Sequence, residues 1–363
     1  MLKALHQATS VCLLTYMSGL LNREIGRVYM ESLLSVKQLK TAFETEYGKV
    51  VSVDDVSFDV KKGETLAIVG ESGSGKSVTA LSIMRLLGKR GSIVQGEIKL
   101  EGKNLTALSD KEFQPLRGNE VSMIFQEPMT ALNPVFTIGH QLVETILLHT
   151  DVDKKEAKAI AQNMLDKVGI PNATRVMKQF PFSLSGGMRQ RVMIAIALVC
   201  KPKLLIADEP TTALDVTVQA QIMRVMNDLC TELQTAVLLI THDLGVVAEM
   251  ADRVIVMYAG QVVEEADVFT LFERPLHPYT LGLMDSIPSM DFDGKQLKAI
   301  PGTIPGRYQN IVGCRFANRC TFATAQCKKQ QPPLIEVDSG HKTRCFEWQK
   351  VLHKEGSSHD NQS

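Results

Sequence analysis

Gly70-Glu71-Ser72-Gly73-Ser74-Gly75-Lys76-Ser77 decides the reading of this chain, because it fills every fixed position of the phosphate-loop pattern G-x-x-x-x-G-K-[ST]. Thr65-Leu66-Ala67-Ile68-Val69 just before it reads as a short buried strand, and residues 77–87 read as a helix. The loop therefore sits where a strand hands over to a helix N-terminus, and unpaired N–H groups and the positive dipole end converge there. Gly70, Gly73 and Gly75 let the backbone close around phosphates where a Cβ would obstruct it, and Ser72 and Ser74 complete the loop. Lys76 supplies a point charge, and the Ser77 hydroxyl is placed to ligate Mg2+. A Gly/Ser-rich turn matching by chance would lack these flanks.

The 363 residues suggest two to three domains, and 44% hydrophobic residues supply a substantial core. Forty basic and forty acidic residues cancel, which gives a nucleic-acid reading no support from overall charge. Seven cysteines, three of them the scattered singles Cys12, Cys200 and Cys230, fit a reducing cytosol better than a disulfide framework. No apolar run reaches the roughly 18 to 20 residues needed to span a bilayer. Residues 11–21, which follow Lys3, have the length of a signal h-region, but exporting a nucleotide-binding module away from ATP makes little chemical sense. The alternative is that residues 1–30 are a poorly ordered extension or an artefact of the start site, with Met30 opening a more ordinary beginning.

From Leu33 to Val60 apolar residues tend to alternate, which predicts an antiparallel β layer beside the core. Phe43 and Tyr47 fall in its first loop, where an aromatic ring either stacks on adenine or packs in the ordinary way. Residues 96–100 read as another strand, and Val121–Phe125 as a core strand ending at Gln126. Between residues 127 and 190 the texture turns helical: Ala157, Ile160, Ala161, Met164, Leu165 and Val168 recur at helical spacing. A helix at residues 185–199, a strand at 203–207, a helix at 216–233 and strands at 237–241 and 254–257 follow. That alternation predicts a parallel, helix-covered sheet. Beyond Phe272 prolines and glycines become frequent, which predicts a separate C-terminal domain over 273–349 and a disordered polar tail over 350–363.

Asp208 follows an apolar strand, where a carboxylate can hold Mg2+ through water, and the adjacent Glu209 can polarise an attacking water. Gln126 ends a second core strand and His242 a third, positions from which they can sense metal, water or a terminal phosphate. Alone, each would more often be a satisfied structural residue.

Leu184-Ser185-Gly186-Gly187-Met188-Arg189-Gln190 resembles the signature motif of ATP-binding cassette (ABC) ATPases. The phosphate loop, Gln126, this motif, the strand into Asp208-Glu209, Ala213-Leu214-Asp215 and His242 stand in that family's order over residues 33–270. Phe125–Met129, Leu132-Asn133-Pro134, Ser185–Arg191, His277-Pro278-Tyr279-Thr280, Gly313-Cys314 and Arg319-Cys320 narrow the likeness to the oligopeptide/dipeptide/nickel importer ATPases of bacteria. Met188 stands where many cassettes have Gln, a change typical of that branch, and Ile311 stands where the branch usually has Pro.

The resemblance implies an α/β P-loop NTPase fold: an ABC cassette over residues 31–272 with an antiparallel β layer and a helical subdomain at about 127–190, plus a small cysteine-containing C-terminal domain. It implies ATP hydrolysis with Mg2+, by Glu209, His242 and Gln126 as catalytic groups. Phe43 would stack on the adenine, and Ser77, Gln126 and Asp208 would serve Mg2+. Two cassettes would face head to tail, with Ser185, Gly187 and Asp215 at the shared nucleotide. The expected partners are a paralogous second ATPase, two membrane permease subunits and an extracytoplasmic solute-binding protein, without nucleic acid. The place of work would be the cytoplasmic face of the cell membrane, held peripherally. A soluble cassette of DNA repair or translation is the rival, but such proteins typically carry two cassettes or a long coiled-coil insertion. A non-catalytic regulatory cassette is opposed by Glu209 and His242.

Cys314, Cys320, Cys327 and Cys345 follow the spacing C-x5-C-x6-C-x17-C. A small domain gains stability from a metal that cross-links its loops. Structural zinc sites usually contain tight C-x2-to-4-C pairs, and wider gaps suit an iron–sulfur cluster. Iron–sulfur, zinc and free thiols or disulfides stay open on spacing alone, and the resemblance implies a [4Fe-4S] cluster.

Overall fold

The computed structural model of the chain describes residues 32–126, 131–211, 216–286 and 300–352. The N-terminal extension and Asp215 lie outside these residues, as do Glu127, Pro128 and Met129.

Two sheets organise the molecule. The first contains β1 (Ser32–Thr45), β2 (Gly48–Lys61), β4 (Gly91–Leu100) and β5 (Lys103–Asn104), in the order β2-β1-β4-β5. β4 pairs antiparallel with both of its neighbours, as the alternation implied. The second has eight strands in the order β11-β12-β10-β9-β3-β8-β7-β6. Its centre is parallel: β6 (Val121–Ile124), β7 (Leu204–Asp208), β8 (Ala236–Ile240), β3 (Thr65–Val69) and β9 (Arg253–Tyr258) all run one way. Every residue of β3, β7 and β8 is buried, which is why they read as continuous apolar runs rather than alternating ones.

Helices connect and cover these strands: α1 (Lys76–Ile83), α2 (Ile138–His149), α3 (Lys154–Lys167), α4 (Gly186–Leu198), α5 (Val216–Leu233), α6 (Leu244–Met250), α7 (Val268–Glu273) and α8 (Pro278–Asp285). α3 starts where Asp153 accepts from the N–H groups of Lys155 and Glu156, and it buries Ala157, Ala161, Met164 and Leu165. That apolar stripe packs with Ile138, Leu142 and Ile146 of α2 and with Val192 and Ala195 of α4, forming the core of the helical insertion. A second core, including Leu34, Val36, Leu66, Ile68, Ile98 and Leu238, lies between the two sheets.

The C-terminal residues pack onto the cassette. The described residues from Leu33 onward form one compact unit, and β11 (Ile335–Asp338) and β12 (His341–Thr343) extend the main sheet beyond β10 (Gln261–Asp267). β12 pairs antiparallel with β10, and His341 Nε2 lies 2.9 Å from the buried Glu264 carboxylate. Arg315 donates to the Ala259 carbonyl and to Asp54, and the Tyr308 hydroxyl donates to the Ser52 carbonyl at 2.7 Å. These long-range bonds join proline-rich sequence to the cassette, a feature local composition cannot reveal. Order also continues past Lys350, since residues 348–352 are helical and Val351 is fully buried. No helix of the described residues is long and apolar enough to cross a membrane.

Candidate nucleotide site

The phosphate loop turns between β3 and α1 as expected, and its glycines serve the protein before they serve a ligand. A Cβ on Gly70, at φ +148°, would stand 2.2 Å from the Met257 carbonyl oxygen, and one on Gly75, at φ +104°, would stand 2.6 Å from that of Ser52. Neighbouring strands therefore press on the loop at two points, and glycine alone fits. The buried Ser74 Oγ has no hydrogen-bond partner, whereas Ser72 is exposed. Lys76 folds back, with Nζ donating to the carbonyls of Gly70 at 2.6 Å and Glu71 at 3.1 Å. Burial holds its pKa below the usual lysine value, against the opposing carboxylates of Glu209, Asp208 and Glu71.

Across the loop, β7 delivers Asp208 and Glu209. The Ser77 hydroxyl donates to Asp208 Oδ1 at 3.0 Å. Burial raises the Asp208 pKa, and Glu209 adds to the rise, against the Ser77 hydrogen bond and the charge of Lys76. This pair offers adjacent oxygens beside a cationic loop, which fits the all-oxygen preference of Mg2+. Glu209 sits in the left-handed region at φ +47°, its N–H donating to the Ile240 carbonyl at 2.8 Å. One carboxylate oxygen accepts from Gln126 Nε2 at 2.9 Å, and the other lies 3.3 Å from His242 Nδ1. Three strand ends, far apart in sequence, thus bring Gln126, Glu209 and His242 together. With its side chain 67% exposed, His242 can still reach outward.

Ser185 caps α4 by accepting from the Met188 N–H at 3.3 Å. It is exposed, and Gly187 follows it in the first turn of a 13-residue helix whose free N–H groups suit an anion. Gly187 also fits close packing, since a Cβ there would come within 3.1 Å of Val218. The sequence offered no sign of what Gln190 does: buried in α4, it donates to the Pro210 carbonyl, tying the signature helix to the turn after Glu209.

Phe43, expected as an adenine platform, stands half-buried on β1. It pairs with Gly91 of β4, and a Cβ on Gly91 would stand 2.7 Å from its ring. The exposed ring of that region is Tyr47, 81% accessible in the β1–β2 turn with the Arg307 guanidinium 5.9 Å from its centroid.

Cys314, Cys320, Cys327 and Cys345 are brought to one small pocket, together with Phe316, Phe322 and Phe346. All four are free thiols, and the Cys327 Sγ lies 3.3 Å from the Thr324 hydroxyl. Burial pushes Cys320 up to about 11 and Cys345 up to about 12. Among the described residues no group of three or more His, Cys, Asp or Glu is arranged to hold a metal ion. The four thiols are neighbours around one aromatic pocket, and this arrangement gives no support to a cluster or to zinc.

The sequence also gave no warning that the C-terminal residues touch the phosphate loop. In His277-Pro278-Tyr279-Thr280, His277 Nδ1 caps α8 by accepting from the Tyr279 N–H at 3.1 Å, and Pro278 opens the helix. Burial keeps His277 neutral, with a pKa of about 3. The motif points Tyr279 inward, where its hydroxyl accepts from the Glu71 N–H at 2.7 Å.

Comparison with known proteins agrees with this geometry. Residues 53–212 match the family model described as ABC transporter, and residues 263–327 match that of the oligopeptide/dipeptide transporter C-terminal region. The chain is 57% identical to the oligopeptide transport ATP-binding protein AppD of Bacillus subtilis, over 87% of this chain and 97% of the relative. It is 50% identical to a putative peptide import ATP-binding protein of Brucella melitensis, over 88% of this chain and 98% of that one. Among solved structures, the dimeric ATP-binding cassette MJ0796 bound to ADP and Pi superimposes with a TM-score of 0.59 at 26% identity, covering 65% of this chain and 98% of that one. The two matched models, the near full-length relatives and the shared cassette fold leave one conclusion: this chain belongs to the ABC transporter ATP-binding proteins, in their oligopeptide/dipeptide branch.

Proposed function

We propose that this chain binds and hydrolyses ATP as a subunit of a bacterial ABC importer for dipeptides, oligopeptides or a related solute. The observation that carries the chemistry is the convergence of Gln126, Glu209 and His242 opposite a phosphate loop with Lys76, Ser77 and Asp208 at its exit. Lys76 turns from the loop carbonyls to the phosphates, while Ser77 and Asp208 would hold Mg2+, which would supply charge neutralisation. Glu209 orients the attacking water and accepts its proton, and His242 and Gln126 hold the Glu209 carboxylate in register.

Ser185 and Gly187 serve the nucleotide of a second cassette, a paralogue of this chain. ATP closes the pair and hydrolysis reopens it, driving two membrane permease subunits fed by an extracytoplasmic solute-binding protein. The chain works peripherally at the cytoplasmic face of the membrane. What supports peptide import over DNA repair or translation is the match at residues 263–327. The test is uptake of labelled di- and oligopeptides by cells in which the chromosomal copy carries Glu209→Gln: loss of uptake is expected, and unchanged uptake of every peptide overturns the peptide reading.

A further inference from the structure

Glu71 places a carboxylate inside a loop built to receive phosphates, and its charge is felt by Lys76, whose pKa it raises. Left bare, that charge would repel the ligand. Its polar groups are engaged by the loop itself and by C-terminal residues. The N–H donates to the Tyr279 hydroxyl, and the carbonyl accepts from Lys76 Nζ at 3.1 Å and from the Ser74 N–H at 3.2 Å. The side chain meets Arg319 in a two-pronged pair, Nη1 to Oε2 at 2.7 Å and Nη2 to Oε1 at 2.9 Å.

Arg319 is itself fixed. Its side chain is 6% exposed, its Nε donates to the Pro301 carbonyl at 2.7 Å, and its guanidinium lies 5.7 Å from the Tyr258 ring centroid and 5.9 Å from that of Phe316. Such a planar, bidentate and stacked contact is one that lysine cannot reproduce.

We propose that Arg319 is a positioning residue for the nucleotide site: it neutralises the Glu71 carboxylate beside the phosphates, while Tyr279 anchors the phosphate loop through the Glu71 N–H. The C-terminal residues are then part of the nucleotide site, although they supply no group to the reacting atoms. This inference rests on the proposed ATP reading and adds the source of its loop geometry and charge balance.

The experiment measures binding of a fluorescent ATP analogue with Mg2+ to the purified full chain, alongside thermal melting. Wild type must bind; if it does not, the ATP reading itself fails. Arg319→Met keeps the apolar stem and removes the charge, and should weaken binding about tenfold, the scale of one lost charge-assisted contact. Arg319→Lys should fall between the two. Adding Glu71→Gln to Arg319→Met should restore affinity to within about threefold of wild type, because the uncompensated charge is gone. A merely structural role for Arg319 would not be relieved by a second change in the loop. Wild-type affinity in Arg319→Met, or a double variant that melts normally yet binds as weakly as Arg319→Met, overturns the proposal. Should Arg319→Met not fold, Glu71→Gln alone decides: the amide keeps one acceptor for Arg319 and removes the negative charge beside the phosphates, so affinity should equal or exceed that of wild type, and weaker binding overturns the proposal.

Discussion

Replacing Glu209 by Gln removes one ionisable group and little volume, so its consequence can be worked from the contacts. In the native arrangement one carboxylate oxygen accepts from Gln126 Nε2 at 2.9 Å and the other lies 3.3 Å from His242 Nδ1. An amide has one acceptor oxygen and one NH2 donor. Whichever way it turns, it satisfies one partner and presents a donor to the other, unless His242 offers an unprotonated Nδ1. Binding of ATP, which rests on Lys76 and the loop, should change by less than about threefold. Turnover should fall by about 10² to 10⁴, the range for removing a positioned general base, or roughly 3 to 5 kcal/mol of transition-state stabilisation. The assay is steady-state phosphate release beside equilibrium binding of a fluorescent ATP analogue. Phosphate release within about threefold of wild type, at saturating ATP, would remove Glu209 from the chemistry.

Lys76→Ala should weaken nucleotide binding itself, seen as loss of analogue fluorescence at concentrations that saturate wild type. Ser185→Arg should impair ATP-driven pairing of cassettes on size exclusion while leaving ATP binding by the single chain intact; equal loss of both would point to local misfolding. Burial raises the Asp208 pKa above its unfolded value, so the folded state binds the extra proton and stability falls as pH rises from the ordinary carboxylate range through the raised pKa. Asp208→Asn should therefore raise the melting temperature of the ligand-free chain at neutral pH by about 2 to 4 °C while abolishing any added stabilisation by Mg2+ with ATP; a lower melting temperature would refute the cost assigned to that carboxylate. Arg253 sits between the buried Glu64 at 2.8 Å and Glu265 at 2.5 Å, so Arg253→Met should cost roughly 3 to 5 kcal/mol in denaturant unfolding by leaving two buried carboxylates without their shared cation.

Much of the molecule was legible because its information is local. The phosphate loop is eight consecutive residues between a buried strand and a helix, and β3, Thr65–Val69, and α5, Val216–Leu233, fall where the apolar patterns put them. Asp208-Glu209, Gln126 and His242 could be named as candidates because each ends an apolar run, and strand ends are where a parallel sheet exposes side chains. Their pairing, Gln126 with Glu209 and Glu209 with His242, required β6, β7 and β8 to lie side by side, which sequence order does not state.

Other features depended on tertiary contact alone. Phe43 and Tyr47 are equivalent aromatics in the sequence; the packing of one against Gly91 of β4 is what separates them. The four C-terminal cysteines have a suggestive spacing, yet it is folding that brings them, with Phe316, Phe322 and Phe346, around one pocket. Pro-rich sequence after Phe272 looked separable because composition reports only that a segment is irregular. Its union with the cassette comes from bonds spanning hundreds of residues, Arg319 to Glu71 and Tyr308 to Ser52 among them, and from β12 pairing with β10. Periodicity and motif spacing record what a residue does with its chain neighbours; partners brought together by folding leave no mark on either one's local pattern.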